Sequence, residues 1–206
     1  MSEAWRDGPD QPLPPGGSQG LGAVLRAAAS LAAMGGLESV SVGRLAAAVG
    51  VSKAGLDTLF GSKENLQLAV VDEAARVFAD EVVRPALAAP PGLPQLTAVC
   101  EAFFAYLERR TFPGGCFLYG VALEMGGRPG PVGERIAGFQ DRFGALIRGF
   151  AAAAVARNEL AAGEDPDRLA FELNGIMLAA DTNFVLNDDP GVLDLARQIV
   201  RQRLRP

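Results

Sequence analysis

The sequence predicts an all-α fold. Alanine is very abundant, with Leu, Val, Phe and Arg punctuating it, and that mix favours helix. No segment alternates with period two, and β-branched residues are sparse. Apolar positions recur instead at three- and four-residue spacing, between breaks marked by glycine and proline. A chain of 206 residues has room for one sizeable core, or for a small domain plus a larger one.

The elements follow in order. Residues 1–18 hold Pro9, Pro12, Pro14 and Pro15 among glycines and polar residues, the composition of a flexible arm. A helix is predicted over 19–34, with Leu21, Val24, Leu25, Ala28 and Leu31 on one face. Gly35 and Gly36 end it by supplying the left-handed cap conformation. Ser41 is the N-cap of a short helix, VGRLAAAV, in which Leu45 and Val49 stand four apart. Gly50 makes a tight turn, and Ser52 caps a second short helix, KAGLDTLF, with Leu56, Leu59 and Phe60 as its apolar corner. Ser62 caps a third, predicted to run to residue 84 and stop before Pro85.

The stretch APPGLP breaks the chain, and by composition a domain boundary falls near 86–93. Helices are predicted over 95–110, 116–125 and 132–158, separated by FPGG and GGRPGP. Asp165 and Pro166 read as the N-cap and first residue of a helix to about residue 186. A last helix covers 190–204.

Composition excludes several classes. No apolar run reaches about 18 residues, so no membrane span is expected. The N-terminus lacks the apolar region of a secretory signal. Cys100 and Cys116 form no disulfide framework and read as reduced thiols of a cytoplasmic protein. Histidine is absent, which removes the usual general base and the commonest metal ligand. Neither a metal nor a cofactor is expected. The net charge of −5 argues against bulk coating of nucleic acid, though not against a small reading head.

Two short helices about a glycine turn form the helix-turn-helix pattern. Ala46, Ala47 and Ala48 keep the first helix narrow, and Val49 and Val51 pin it to the second. The second helix is then held outward and can enter a groove about 12 Å wide. The run SVSVGRLAAAVGVSKAGLDTLFGSKENLQLAV resembles the DNA-binding head of the TetR family of transcriptional regulators. Ser41, Val42, Leu45, Ala46, Gly50, Val51, Ser52, Lys53, Leu56, Phe60, Ser62, Lys63, Glu64 and Leu66 match that family's pattern. VLRAAASLAAMGG ahead of it resembles the family's opening helix, and GGCFLYGVALEMGGRPGP resembles the C-terminal region of one branch. Where this chain has Gly55, Asp57 and Leu59, the family usually has Thr, Tyr and His or Tyr.

The resemblance implies a division into a head at 19–66 and a ligand-binding and dimerisation domain at 67–206. It implies DNA contact by Ser41, Arg44, Ser52, Lys53, Ala54, Gly55, Asp57, Thr58 and Lys63. Lys53 and Lys63 are the only lysines of the chain. From residue 19 to 60 the basic Arg26, Arg44 and Lys53 outnumber the acidic Glu38 and Asp57 by one, a weak phosphate-binding patch. Lys53 and Asp57, four apart, have the spacing of a helical ion pair.

The later helices carry many large apolar residues, whose ordinary role is core packing. As a set they also fit the walls of an effector cavity, which the resemblance implies. Its candidates are Phe103, Phe104, Leu107, Phe117, Leu123, Phe139, Phe143 and Met177, with Glu124 and Asp181 at the rim. In the penultimate helix Leu169, Leu173, Ile176, Ala180 and Phe184 follow helical spacing, and Ile199 extends the pattern into the last. The resemblance implies that these two helices pair with their counterparts in a symmetric dimer. Periodicity alone fits an internal core equally well.

The function expected is a ligand-responsive repressor, a homodimer on near-palindromic double-stranded operator DNA, released by a small, mostly apolar effector. Two rivals stand beside it. One is a ligand-binding dimer whose head has weak or lost DNA binding, which Gly55 and Asp57 keep open. The other is an enzyme using Glu124 or Asp181 as acid or base, for which no nucleophile motif, phosphate loop or metal spacing speaks.

Overall fold

The computed structural model describes residues 18–205. The predicted arm lies outside the described residues, save for Ser18, which opens the first helix. The helices are α1 (Ser18–Gly35), α2 (Val42–Val49), α3 (Lys53–Phe60), α4 (Lys63–Phe78), α5 (Arg84–Ala88), α6 (Leu93–Glu108), α7 (Phe117–Met125), α8 (Pro131–Ala156), α9 (Pro166–Asn187) and α10 (Gly191–Arg203). A single 3₁₀ turn, Leu37–Ser39, joins α1 to α2. No strand occurs among the described residues.

The serine caps close as predicted. The Ser41 hydroxyl accepts from the Arg44 amide, Ser52 from that of Gly55 and Ser62 from that of Asn65. Gly50 holds φ at 70°, the left-handed turn the short loop needs. Asp165 accepts from the amides of Asp167 and Arg168 at the start of α9.

Pro85 does not end the fourth helix. A π-helical turn, Ala79–Val83, precedes it, and the chain stays helical to Ala88. A proline inside a regular α-helix leaves one carbonyl without its donor and crowds it. The wider turn re-registers the bonding, so that Pro85 falls in the first turn of α5, where its missing N–H is not required.

By packing, the chain divides into two compact units. One takes the chain to Val77 and returns for Phe112–Phe139; the other holds Phe78–Thr111 and everything from Gln140. These lines differ from a division at residue 66, because α7 packs against α1. The APPGLP break near 86–93 lies inside the second unit, where α5 and α6 pack on each other across it.

In the first unit the inward stripe of α1 is Leu25, Ala28, Ala29 and Ala32, while Leu37, Leu45, Leu56, Phe60 and Leu66 complete the head's core. Each large apolar side chain withdrawn from water contributes roughly 1.5–3 kcal/mol. The buried Glu73 carboxylate receives Arg26 at 3.0 Å and Arg76 at 2.8 Å, which ties α1 to α4. Val51, read above as a pin between α2 and α3, is instead exposed.

The second unit is built around aromatic rings. Phe78 meets Phe143 edge-on at 5.0 Å between centroids and Tyr106 at 5.7 Å. Phe103 and Phe104 lie 6.1 Å apart beside them. Helix α9 is long and apolar enough, by composition alone, to cross a membrane. Its inward stripe of Leu169, Leu173, Met177, Ala180 and Phe184 is buried, and it packs on α6 and α10, the ordinary reason for such a composition.

Candidate nucleic-acid interface and effector hollow

Helix α3 is short because Ser52 starts it and Gly61, at φ 70°, ends it. Leu56 and Phe60, four apart, turn inward and are buried. That places Lys53, Ala54, Gly55, Asp57 and Thr58 on the exposed side. The Thr58 hydroxyl donates to the Ala54 carbonyl at 2.9 Å. Lys53 and Asp57 have the spacing of a pair, yet among the described residues neither takes part in an ion pair, and both are exposed. Gly55 has a local reason. A Cβ there would sit 2.9 Å from the Ser52 hydroxyl oxygen, which is the cap of this helix.

The remaining basic candidates are partly or wholly engaged. One guanidinium nitrogen of Arg44 donates to the Ser39 carbonyl at 3.1 Å. Ser41 and Ser52 spend their hydroxyl oxygens on helix caps. The Lys63 ammonium donates to the Glu38 carbonyl at 2.8 Å and to its carboxylate at 2.9 Å. Lys63 therefore clamps the 3₁₀ turn to α4, and it holds the Glu38 carboxyl below the usual carboxylate range.

A hollow of about 170 Å³ lies within the first unit, against the end of α1 and along α7. Ala32, Gly36, Cys116, Phe117, Gly120 and Glu124 are among its walls. The Glu124 carboxylate reaches back across the chain. One oxygen accepts from the Leu37 amide at 2.7 Å and the other from the Glu38 amide at 3.1 Å. Gly36, at φ 80°, makes room for it: a Cβ would meet the carboxylate at 3.0 Å. Gly114 approaches α1 as closely, since a Cβ there would fall 1.9 Å from the Ala33 carbonyl oxygen.

The candidate effector residues fall in both units. Phe117, Glu124 and Phe139 belong to the first unit, and only Phe117 and Glu124 face this hollow. Leu123, one residue away, is exposed. Phe103, Phe104, Leu107, Phe143, Met177 and Asp181 belong to the second unit and are buried there. Cys100, equally buried, has its thiol pushed up to about 12 by loss of water and by the Glu101 charge. The glycines and Cys116 of the hollow were missed as site residues. Their signal was the density of small residues in GGCFLYG.

Residues 24–70 match the sequence profile of bacterial regulatory proteins, tetR family. Residues 92–200, more than half the chain, match the profile of the tetracyclin repressor-like C-terminal domain. The chain belongs to the TetR family. It carries that family's helix-turn-helix DNA-binding head together with its C-terminal ligand-binding domain.

Solved TetR structures share the fold. A TetR transcriptional regulator from Chloroflexus aurantiacus is 26% identical, over 87% of this chain and 91% of that one, with a TM-score of 0.79. AibR, in complex with isovaleryl coenzyme A and operator DNA, is 21% identical over 89% and 97%, with a TM-score of 0.71. A TetR-family regulator from Agrobacterium tumefaciens is 17% identical over 91% and 99%, with a TM-score of 0.80. No curated protein matches the chain.

The dimer residues inferred from spacing sort into two faces. Leu169, Leu173, Ala180 and Phe184 are buried within the chain's own core, and Ile176 is half-buried. Ile199 is exposed. Helical spacing found the inward stripe of α9 rather than the outward one. The outward stripe holds Phe171, Val185 and Leu186, of which Phe171 is 80% exposed and Leu186 76%. On α10 Leu195 joins Ile199 at 53% and 40%.

Proposed function

We propose that this TetR-family chain is a ligand-responsive repressor, a cytoplasmic homodimer on a near-palindromic operator, and not an enzyme. The observation that carries the reading is the sidedness of α3. Its apolar residues are spent on the head's core, and Lys53, Asp57 and Thr58 face outward. In the major groove, Lys53 meets a phosphate and Asp57 accepts from the N4 amino group of a cytosine. Ala54 and Gly55 leave the backbone free to come close to the groove.

Two copies pair through the outward faces of α9 and α10, with Phe171, Leu186, Leu195 and Ile199 at the seam. A C2 axis then presents two α3 helices to half-sites about one helical turn apart. A small, mostly apolar effector lowers operator affinity by binding the released form better. AibR holds both isovaleryl coenzyme A and operator DNA, which supports one chain of this fold holding both classes of partner. Selection of bound duplexes from a random pool, at low and moderate salt, tests the reading. Enrichment of a two-half-site motif is the expected result.

A second reading is favoured by the engaged Lys63 and the exposed Asp57. In it the dimer binds a small molecule and its head no longer binds DNA. No enrichment at either salt concentration would select that reading.

A further inference from the structure

We propose that the hollow between the end of α1 and α7 is a binding site for a small organic cation, an apolar body carrying one ammonium group. All of its walls belong to the first unit, whereas the buried aromatic cluster of Phe78, Phe103 and Phe143 belongs to the second. The volume of about 170 Å³ suits an occupant of single-ring size, since a dry cavity of about 150 Å³ accommodates benzene. The hollow opens to solvent at Gly120, which is exposed and whose Cβ would meet nothing.

The chemistry of the walls selects the charge. Among the described residues Glu124 is the one charged residue of the walls, and Phe117 lines the hollow beside it. A carboxylate and an aromatic face together recognise a cation with an apolar body. An anion would be repelled. A neutral hydrocarbon would strip water from the carboxylate and return nothing.

The same carboxylate holds the amides of Leu37 and Glu38. Those amides begin the 3₁₀ turn that leads into α2, and the Glu38 side chain is in turn held by Lys63. An ammonium group bound to Glu124 competes with the two amides, so occupancy loosens the joint between α1 and the helix-turn-helix. Loss of operator affinity on occupancy rests on the DNA-binding reading above; binding and loosening do not.

The test uses the full chain and benzylammonium chloride, with sodium chloride and toluene as controls, followed by calorimetry and by amide hydrogen exchange. Saturable binding of benzylammonium and faster exchange at Leu37 and Glu38 are expected, with no effect of the sodium salt. Gly120→Leu fills the hollow from its open side, and Glu124→Gln removes the charge. Each should weaken binding at least roughly tenfold, about 1.4 kcal/mol, while Gly120→Leu keeps the native melting temperature. Absence of saturable binding, or equal affinity in native chain and both variants, overturns the site. Binding without faster exchange at the two amides overturns the coupling. None of these outcomes depends on DNA, so failure of the head to bind any duplex would overturn the proposed function and leave this site standing.

Discussion

Helices α3 and α10 are both short and both face outward, yet they spend their residues in opposite ways. On α3 the large apolar side chains Leu56 and Phe60 are buried, and Lys53 and Asp57 are exposed with no ion pair among the described residues. On α10 the charges are consumed inside the chain. Arg197, only 14% exposed, is bonded to Glu101 and Glu108 and lies over the Phe104 ring. Arg203 grips Glu164 with two nitrogens and also reaches Glu172. Beside Asp194, Gln198, Arg201 and Gln202, α10 leaves the large apolar side chains Leu195 and Ile199 exposed. In the function proposed above, the helix with exposed charges meets a charged, hydrated partner, and the one with paired charges and bare apolar residues meets a copy of itself.

The largest effect should come from charging the bare face. Phe171→Asp with Leu186→Asp removes two side chains from each side of the seam, each worth roughly 1.5–3 kcal/mol of burial. The variant should sediment as a folded monomer at concentrations where the native chain is a dimer. A native monomer, or a dimeric variant, breaks the comparison at α9.

A smaller effect separates pairing charges from meeting charges. Arg203→Met leaves Glu164 and Glu172 without their shared partner and should cost about 2 kcal/mol, after allowance for solvent screening. Lys53→Gln, by contrast, should leave stability unchanged. Urea unfolding of the two variants decides it, and equal losses would contradict the contrast.

Acid should reveal the same pairing. Arg203 holds the Glu164 carboxyl below the usual range, and Arg168 with Arg203 holds that of Glu172. A lowered carboxyl stabilises the fold fully above its ordinary pKa, and that contribution disappears as the pH falls through the lowered value. The difference in melting temperature between native chain and Arg203→Met should therefore be constant near neutrality and shrink below the ordinary carboxylate range. A difference that grows on acidification would reverse the assignment.

Local chemistry was legible in the sequence and distant chemistry was not. Ser41, Ser52, Ser62 and Asp165 act on amides two or three residues away, so their caps could be read directly. The π turn before Pro85 could not, because a proline inside a helix and one just past it look alike until the bonding register is seen. Lys63 meets Glu38 across 25 positions and Glu124 meets Leu37 across 87, separations for which no sequence spacing exists. On α9 the inward stripe has helical spacing, while the exposed apolar residues Phe171, Val185 and Leu186 stand at its two ends, so periodicity pointed to the stripe the chain covers itself. Asp57 and Lys53 had the right spacing to pair, yet they form no ion pair with each other.

The smallest predicted effect is the most specific. Asp57→Asn should relax base preference at one operator position by about 1–3 kcal/mol and leave the others alone. Uniformly tighter binding to all sequences would mean that Asp57 only repels phosphate.

The central claim is that the free charges of α3 meet DNA, and the salt dependence of binding tests it most directly. On a duplex selected by the native chain, log K should fall linearly with log salt. Lys53→Gln should lower that slope by about 1 for each head while the dimer and its melting temperature stay native. An unchanged slope in Lys53→Gln, or no duplex bound by the native chain at about 50 mM salt, would contradict it.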